Sequence, residues 1–540
     1  MRDFTKGKVT KSIFLFSIPL ILGNLFQQLY TLINSAFVGT FLNTDALAAV
    51  GACYPIIFFI TSMVLGIASG ASVVVSHYYG AKDYDSIRNI ISTFYIFFIL
   101  LGVVVCGLSI IFASEIFSLF SMTDIVKNMA AEYFQIYMIG MFFSILSHSA
   151  ISLLRGLGDS TTQLYFLIPA NILCAILSYV FLGVLNLTIG YSALASLIAQ
   201  FLCFVSIFIY LNKTHKYIKL SFYHLTFNKS YLQSILSVGV PTGLQQSVIS
   251  LTQILILSLV VRFGTDATAA YSSAMRVESI ALLFVLNISN AVTAFVGTNK
   301  GANMNDRVKQ GLYASIKLMS IFSLITMVVF IGLKRYLMLL FTNDEQVIRI
   351  GEEYLIIYGL FYFFFALQMM FTAFFRGLAK ASITMVISVF SLLIVRYPLS
   401  YLLSLHYDTI GIWLGAPISW ILSLIIYIIL FKMNKWQTRS IVKTFLLLLP
   451  IFLLFSCSSK AQVDALSIQQ NDFAVNSKEP TDDTKVAEYK SPYPQNDFIS
   501  PLKIPITLAG TFAEIRGTHF HRSEERRVGK ECRSRWSPYH

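Results

Sequence analysis

Charged residues are scarce in this chain of 540 residues. Only 12% of the residues are Asp, Glu, Lys or Arg, whereas 56% are hydrophobic, and the mean hydropathy is +0.70. Soluble domains carry about 25% charged residues, and half that share cannot cover the water-exposed surface of so long a chain. The composition therefore excludes a soluble enzyme over most of the length. It also excludes a disordered chain, which would need low hydrophobicity.

Cysteine is scarce as well. The chain has six cysteines, and no spacing between them fits a disulfide framework or a zinc knuckle. Four of them, Cys53, Cys106, Cys174 and Cys203, lie in apolar segments, so we interpret these four as small buried hydrophobic residues.

The few charges are unevenly distributed. Residues 441–540 hold 24 charged side chains in 100 positions, whereas residues 1–440 hold 43 in 440. We therefore interpret residues 1–440 as the body of a membrane protein and residues 441–540 as a water-soluble tail of different origin.

Long apolar runs recur along the body. A bilayer core about 30 Å thick needs about 20 apolar residues per helix, and twelve runs of that size are present. The sequence thus predicts an all-α polytopic membrane protein with twelve transmembrane helices. The predicted spans are 12–38, 47–76, 89–112, 132–154, 162–184, 190–212, 232–261, 267–298, 310–333, 350–375, 382–404 and 410–431.

The loops between the spans differ in cationic charge, and this difference predicts the orientation in the membrane. The loops on the side of the N-terminus hold 19 Lys and Arg residues, from Arg2 to Arg439. Those on the other side hold Lys127, Arg262, Lys334 and Arg335. Both ends of residues 1–440 are therefore expected in the cytoplasm. The net charge of +13 then reflects topology and not nucleic-acid binding.

The two halves of the body repeat each other at an offset of 221 residues. This predicts two six-helix lobes, residues 1–222 and 223–440, which are pseudo-symmetric about an axis along the membrane normal. Two such lobes around a central cavity are typical of an alternating-access transporter; a channel is the alternative, although the sequence has no selectivity-filter motif. The matching pairs are Asp45/Asp266, Gly80/Gly301, Ala81/Ala302, Glu132/Glu353, Tyr133/Tyr354, Tyr137/Tyr358, Arg155/Arg376, Gly156/Gly377 and Gly190/Gly411.

Several motifs in the body resemble one known family. They include FSIPLILGNLFQQLYTLINSAFVGTFL (16–42), LLRGLGDSTTQ (153–163), GVPTGLQQS (239–247), FVGTNKGANMNDRVKQG (295–311) and VRYPLSYLL (395–403). Over residues 5–440 the chain resembles the multidrug and toxic compound extrusion (MATE) family.

The resemblance implies a V-shaped bundle of two six-helix lobes in the bacterial cytoplasmic membrane. It implies a transporter and not an enzyme, acting as a monomer without a cofactor, that exports cationic or aromatic drugs or metabolites as protons or sodium ions flow inward. A lipid-precursor flippase of the same superfamily is the alternative. That function would require a strongly cationic cavity.

Ionisable residues inside a span are costly and therefore candidate functional residues. Glu278 and Arg276 lie about ten residues into the eighth span, and Arg396 lies in the eleventh. The carboxyl group of Glu278 could exchange a proton or provide oxygen ligands to sodium. Alternatively, Glu278 pairs structurally with a neighbouring arginine such as Arg396, or faces an aqueous crevice.

Two positions depart from the pattern that the resemblance implies. Asn34 stands where the family usually has an aspartate in the first span, and in the fifth span Asn171 matches but Ala175 replaces an acid. Amides do not take up a proton at physiological pH. Proton coupling in the first lobe is therefore unexpected, and proton and sodium stay open alternatives.

Polar and aromatic residues on cavity-facing helices are candidate cargo contacts. Gln28, Tyr137 and Gln246 are the main ones. The alternative for each is an interhelical hydrogen bond, the usual role of amides in membrane bundles.

The tail has four distinct parts. Residues 433–457 have the anatomy of a bacterial lipoprotein signal ending at Cys457, and 458–500 resemble a flexible linker. Residues 501–521 resemble the start of a lysostaphin-like zinc endopeptidase in which His521 would be a metal ligand, and 522–540 look like translated sequencing adaptor. A membrane-anchored peptidoglycan peptidase is thus a further alternative, but one histidine does not make a catalytic zinc site.

Overall fold

The computed structural model describes residues 2–42, 44–118, 122–214 and 226–433, which contain all twelve predicted spans. The tail, with His521 and the lipoprotein-like segment from residue 434 onward, lies outside the described residues, as does the predicted lobe boundary at residue 222.

The first lobe comprises α1 (Val9–Phe41), α2 (Thr44–Gly80), α3 (Tyr84–Ile111), α4 (Ala113–Ser118), α5 (Asp124–Gly156), α6 (Leu164–Tyr179) with a π-helical turn (Val180–Val184), and α7 (Ile189–Thr214). The second comprises α8 (Lys229–Val261), α9 (Thr265–Gly301), α10 (Asn305–Gly332), α11 (Lys334–Leu339), α12 (Glu345–Gly377), α13 (Ala381–Val389) with a π-helical turn (Phe390–Arg396), and α14 (Tyr397–Lys432).

The described residues contain eleven helical stretches that are long and apolar enough to cross a bilayer, and the last of them provides two spans. This stretch, Ala381–Lys432, has 52 residues, which at about 1.5 Å per residue would be more than twice the bilayer core. It is broken at Tyr407 and Asp408, whose backbone angles are not helical. Beyond the break the chain turns back, since Ser400 Oγ donates to the carbonyl oxygen of Ile412 at 3.1 Å. The prediction of twelve spans is therefore confirmed.

The internal repeat is confirmed by the helix boundaries. The starts and ends of α2, α3, α4 and α5 recur 221 residues later in α9, α10, α11 and α12. Even the turns match, because Lys82 and Asn303 both have a positive φ, as do Gly158 and Ala379. The second half thus repeats the first in secondary structure and in local backbone conformation.

The two lobes meet mainly where α2 packs against α8 and α9. The backbones of α2 and α8 are so close that a β-carbon on Gly66 would lie 2.2 Å from the Cα of Gly243. Only glycine permits this approach. Near the C-terminal end of α2, His77 Nε2 lies 2.8 Å from the carbonyl oxygen of Gly377. The contact thus follows α2 from its middle to its C-terminal end.

A short segment before α1, residues 2–7, ties the two lobes together at this same end, and we call it the N-terminal strap. The backbone N–H of Arg2 donates to the carbonyl oxygen of Gly158 in the first lobe at 2.8 Å. In the second lobe, Arg307 Nε donates to the carbonyl oxygen of Phe4 at 3.0 Å. The Phe4 ring is fully buried and packs edge-on against Phe295 of α9, with ring centroids 5.6 Å apart. The strap is therefore part of the interface between the lobes.

Candidate functional site

Glu278 lies in α9, buried inside the second lobe with 8% of its surface exposed. The hydroxyl group of Tyr354, from α12, donates a hydrogen bond to Glu278 Oε2. A buried carboxyl group needs such a partner because it has lost its hydration. The helix pair α9 and α12 thus places the acid and its donor face to face.

A second tyrosine continues the contact to an arginine. Tyr358 lies one helical turn after Tyr354 on α12, and the two rings stack with centroids 3.9 Å apart and planes 20° from parallel. Arg396 Nη2 donates to the Tyr358 hydroxyl oxygen at 3.0 Å. We call these four residues, Glu278, Tyr354, Tyr358 and Arg396, the tyrosine bridge.

Arg396 ends a π-helical turn, and its hydrogen bonding is incomplete. Its Nε is buried without a hydrogen-bond partner among the described residues. π-helical turns are rare and frequently mark functional sites. The guanidinium group therefore has a donor to spare inside the protein.

The sequence had suggested a direct ion pair between Glu278 and Arg396 as one alternative, and this pair is not formed. Among the described residues, ion pairs within 4.0 Å join only Lys334 and Arg335 to Glu345 and Glu352. Each tyrosine hydroxyl group forms a hydrogen bond with one of the two charged groups. Glu278 and Arg396 are therefore connected through the hydroxyl groups of two stacked tyrosines and not by an ion pair.

Aromatic side chains enclose the tyrosine bridge. The Trp413 ring meets Tyr354 nearly at a right angle with centroids 5.1 Å apart, and it stacks on Tyr271 at 5.4 Å. Trp420 meets Tyr358 edge-on at 5.2 Å. Apolar walls of this kind exclude water and strengthen electrostatic interactions within them.

Arg276 is not part of the tyrosine bridge. Although it is only two residues from Glu278, its guanidinium lies over the ring of Phe341, 5.9 Å from the centroid. Positions two apart on a helix point in different directions, so the two side chains have different neighbours.

The corresponding region of the first lobe is polar but uncharged. Asn34 Oδ1 accepts a hydrogen bond from Ser192 Oγ at 3.3 Å. Asn171 is buried, and its Nδ2 has no hydrogen-bond partner among the described residues. Both predicted amides thus lie inside the first lobe, in the part formed by α1, α6 and α7.

Cys174 has a role that the sequence interpretation missed. It is buried, as expected for a small hydrophobic residue, but its thiol also donates to the Tyr30 hydroxyl oxygen at 2.9 Å. The same hydroxyl lies 2.9 Å from Ser196 Oγ. The position of Cys174 could have indicated this contact, because it lies one turn after Asn171, a candidate functional residue of the same helix.

The repeat makes the difference between the lobes explicit. Tyr133 and Tyr137 occupy the positions of Tyr354 and Tyr358, and their rings also stack, with centroids 5.7 Å apart. The offset of 221 pairs Arg396 with Ala175, and Glu278 with an isoleucine. The first lobe therefore keeps the tyrosine pair but has neither of the two charges.

The predicted cargo contacts have mixed surroundings. Gln28 Nε2 donates to Ser279 Oγ at 3.3 Å across the lobe interface, which matches the interhelical alternative. Tyr137 and Gln246 are half-buried, on α5 and α8 respectively. These three residues do not form one cluster with the tyrosine bridge.

The chain matches known proteins over the same two repeats. The profile of the MatE family matches residues 19–180 and 241–402. The probable multidrug resistance protein YoeA of Bacillus subtilis (strain 168) is 30% identical over 449 residues, which cover 81% of this chain and 96% of that protein. The probable multidrug resistance protein NorM of Thermotoga maritima is 23% identical over 447 residues, covering 81% and 95%.

Solved structures share the fold. A multidrug resistance MATE family transporter of the MOP superfamily, in an outward-facing conformation, superposes with a TM-score of 0.76 at 21% identity, covering 82% of this chain and 98% of that one. A MOP superfamily transporter from Pyrococcus furiosus superposes with a TM-score of 0.75 at 22% identity, covering 81% and 98%.

Proposed function

The chain belongs to the MatE family, and from this premise we propose that it exports cationic or aromatic small molecules across the cytoplasmic membrane in antiport with protons or sodium ions. The observation that carries the proposal is the tyrosine bridge, a buried acid and a half-buried arginine linked by two tyrosines in one of two repeated lobes. Buried charges in a membrane protein are costly and are kept where they serve function.

We propose that both ends of residues 1–440 are cytoplasmic. The cationic loops support this orientation, and Arg349, near the start of α12, adds only a fifth cation to the opposite side. With this topology, the N-terminal strap and the C-terminal end of α2 lie on the cytoplasmic side, and the contacts of α2 with the second lobe extend from there to the middle of the membrane. The structure then represents a state that is closed to the cytoplasm.

Glu278 is the proposed coupling residue. When its carboxyl group is ionised, the hydrogen bond from Tyr354 and the positive charge of Arg396 compensate the negative charge. Binding of a proton or a sodium ion removes that need for compensation. The tyrosine bridge can then rearrange, and α12 with it, which would couple the ion to the opening of the lobe.

The first lobe is the proposed site for cargo. It presents uncharged amides and hydroxyl groups together with the stacked Tyr133 and Tyr137, which suit aromatic rings and organic cations. A lipid-precursor flippase is less well supported. Its anionic cargo would need free cations, whereas Arg276 and Arg396 are engaged with Phe341 and with the tyrosine bridge.

Transport in proteoliposomes tests this function. We expect the purified chain to move a fluorescent organic cation such as ethidium against its gradient when a proton or sodium gradient is imposed, and each gradient is applied separately. Absence of gradient-driven movement of any tested cation would contradict drug efflux.

The variant Glu278→Gln tests coupling in the same vesicles. We expect gradient-driven transport to fall at least tenfold, while the matched control Glu115→Gln, an exposed acid on α4, should leave it unchanged. Unaltered gradient dependence in Glu278→Gln would remove this residue from the mechanism.

A further inference from the structure

One groove lies apart from the tyrosine bridge and from the polar residues of the first lobe, and it has no role in the function proposed above. It lies between the first turns of α1 and the first half of α10, with a volume of about 750 Å³. Its rim is formed by Lys8, Lys11 and Arg307, and its floor includes Phe14 and Leu318. We call it the α1–α10 groove.

The rim of the α1–α10 groove is strongly cationic. Lys8 is the N-cap of α1 and Lys11 lies in its first turn, and both residues line the groove. Both are exposed, and neither ammonium group forms an ion pair within 4.0 Å in the part of the chain that the structure describes. No carboxylate is among the residues that line the groove. The rim therefore carries two lysines without a carboxylate partner among the described residues.

Arg307 connects the rim to the N-terminal strap. Its Nη2 donates to the carbonyl oxygens of Lys6 and Gly7 at 2.7 and 2.8 Å, and its Nε donates to that of Phe4. These bonds hold its guanidinium at the groove while leaving Nη1 out of the contact with the strap. A ligand on the rim would thus touch the strap and α10 at once.

The floor of the groove is apolar and lies deeper in the membrane. Phe14 is six residues beyond Lys8 on α1, a rise of about 9 Å along a helix, and 45% of its surface is exposed. Leu318 is eleven residues beyond Arg307 on α10, a rise of about 16 Å. Since the interfacial region is about 5–8 Å thick on each side of the hydrocarbon core, this floor reaches the depth of acyl chains. A soluble anion such as free phosphate would gain no favourable contact from such an apolar floor.

We propose that the α1–α10 groove binds one anionic phospholipid of the cytoplasmic leaflet. Its phosphate group contacts Lys8 and Lys11, with Arg307 beside them, and one acyl chain lies against Phe14 and Leu318. The side of the membrane rests on the proposed topology; the chemistry of the site does not. A lipid bound in this way bridges α1, the strap and α10, and so stabilises the contact between the lobes.

Lipid binding to the purified full chain in detergent tests this proposal without any transport assay. We expect native mass spectrometry to show one tightly bound phosphatidylglycerol per chain, and markedly weaker binding of phosphatidylcholine. In the double variant K8Q/K11Q the phosphatidylglycerol affinity should fall about thirtyfold, because each lysine near an anionic lipid surface contributes about fivefold. The double variant K8R/K11R should retain binding.

Matched variants separate this site from a general effect of positive charge. The control K229Q/K309Q removes two other exposed lysines, and its affinity should stay within twofold of the parent. F14A should weaken phosphatidylglycerol binding several-fold. Inorganic phosphate at the same concentration should not displace the lipid, because it lacks the acyl chain.

Several results would overturn the proposal. Equal affinity for phosphatidylglycerol and phosphatidylcholine would exclude an anion site, and an equal loss in both lysine pairs would show diffuse charge attraction. Displacement by phosphate alone, with no effect of F14A, would indicate a free-anion site instead. None of these results depends on whether the protein exports drugs.

Discussion

Tyr354 and Tyr358 lie with ring centroids 3.9 Å apart, and the two hydroxyl groups bond to opposite charges, Glu278 and Arg396. A buried acid and a half-buried arginine are thus linked through neutral side chains whose hydroxyl groups can each donate or accept. An arrangement of this kind responds to a change in the charge of either end. Each tyrosine hydroxyl group can be removed by itself with a substitution to phenylalanine, which keeps the aromatic packing.

The variant Tyr358→Phe removes only the hydroxyl group that accepts from Arg396. Because a buried hydrogen bond to a charged group contributes about 1.5–3 kcal/mol, we expect the free energy of unfolding in detergent to fall by about 2 kcal/mol. Gradient-driven transport should fall as well. Denaturant titration and the vesicle assay measure the two effects.

Tyr137→Phe is the matched control for Tyr358→Phe, since the repeat places it at the same position in the lobe that has no counterpart of Glu278 or Arg396. We expect its unfolding free energy to change by less than about 1 kcal/mol. Equal losses of unfolding free energy in the two variants would argue against a special role for the Tyr358 hydroxyl group.

A double-mutant cycle tests whether Glu278 and Arg396 interact across the tyrosines. Arg396→Gln leaves the buried acid uncompensated and should lower the unfolding free energy by about 3 kcal/mol. Adding Glu278→Gln should recover part of that loss, with a coupling energy of about 1–3 kcal/mol. Strict additivity of the two single variants would mean that the charges do not sense each other.

Close packing of the lobes depends on glycine in the middle of α2. A β-carbon on Gly66 would lie 2.2 Å from the Cα of Gly243, so Gly66→Ala must push α2 away from α8. We expect a loss of about 1–3 kcal/mol in unfolding free energy and at least a tenfold loss of transport.

Gly107→Ala on α3 provides the comparison for Gly66→Ala. No neighbouring atom lies within 4 Å of its would-be β-carbon, and alanine favours a helix over glycine by about 0.5–1 kcal/mol. This variant should therefore be as stable as the parent or slightly more stable. A destabilised Gly107→Ala would show that the assay reports helix substitutions in general and not the lobe contact.

The N-terminal strap should contribute to stability through Phe4. The ring is fully buried between Phe16 and Phe295, with centroids 5.0 and 5.6 Å away. Truncation of a buried phenylalanine costs about 3–5 kcal/mol, and we expect Phe4→Ala to fall at the lower end in denaturant unfolding. Phe112→Ala, in which a half-exposed ring is lost, should change the stability by less than about 1 kcal/mol.

Much of the fold could be predicted from the residues alone. A bilayer imposes one length and one polarity on every span, so the twelve runs appeared as helices near their predicted limits. Only the break at Tyr407 and Asp408 was needed to divide the last stretch in two. The repeat at offset 221 was equally visible, because duplication preserves spacing even where side chains diverge.

The candidate site was found only in part. Glu278 and Arg396 were singled out because ionisable residues inside spans are rare. Tyr354 and Tyr358 were noticed only as members of the repeat, since aromatic residues are common in such helices and nothing in the sequence separated these two from the others. The hydrogen bond from Cys174 to Tyr30 was not predicted either, because the apolar surroundings of Cys174 in the sequence favoured a buried hydrophobic role.

What the sequence determined by itself is therefore the number of spans, their expected orientation and the duplication, all of which follow from hydrophobicity, charge and spacing along one chain. Only the tertiary structure decided that two tyrosines connect Glu278 with Arg396, that the N-terminal strap joins both lobes, and that Lys8 and Lys11 line a groove with an apolar floor. These relations depend on how each helix is rotated about its axis and against which neighbour it packs. Steric fit among distant side chains sets that rotation, and no pattern along the chain records it.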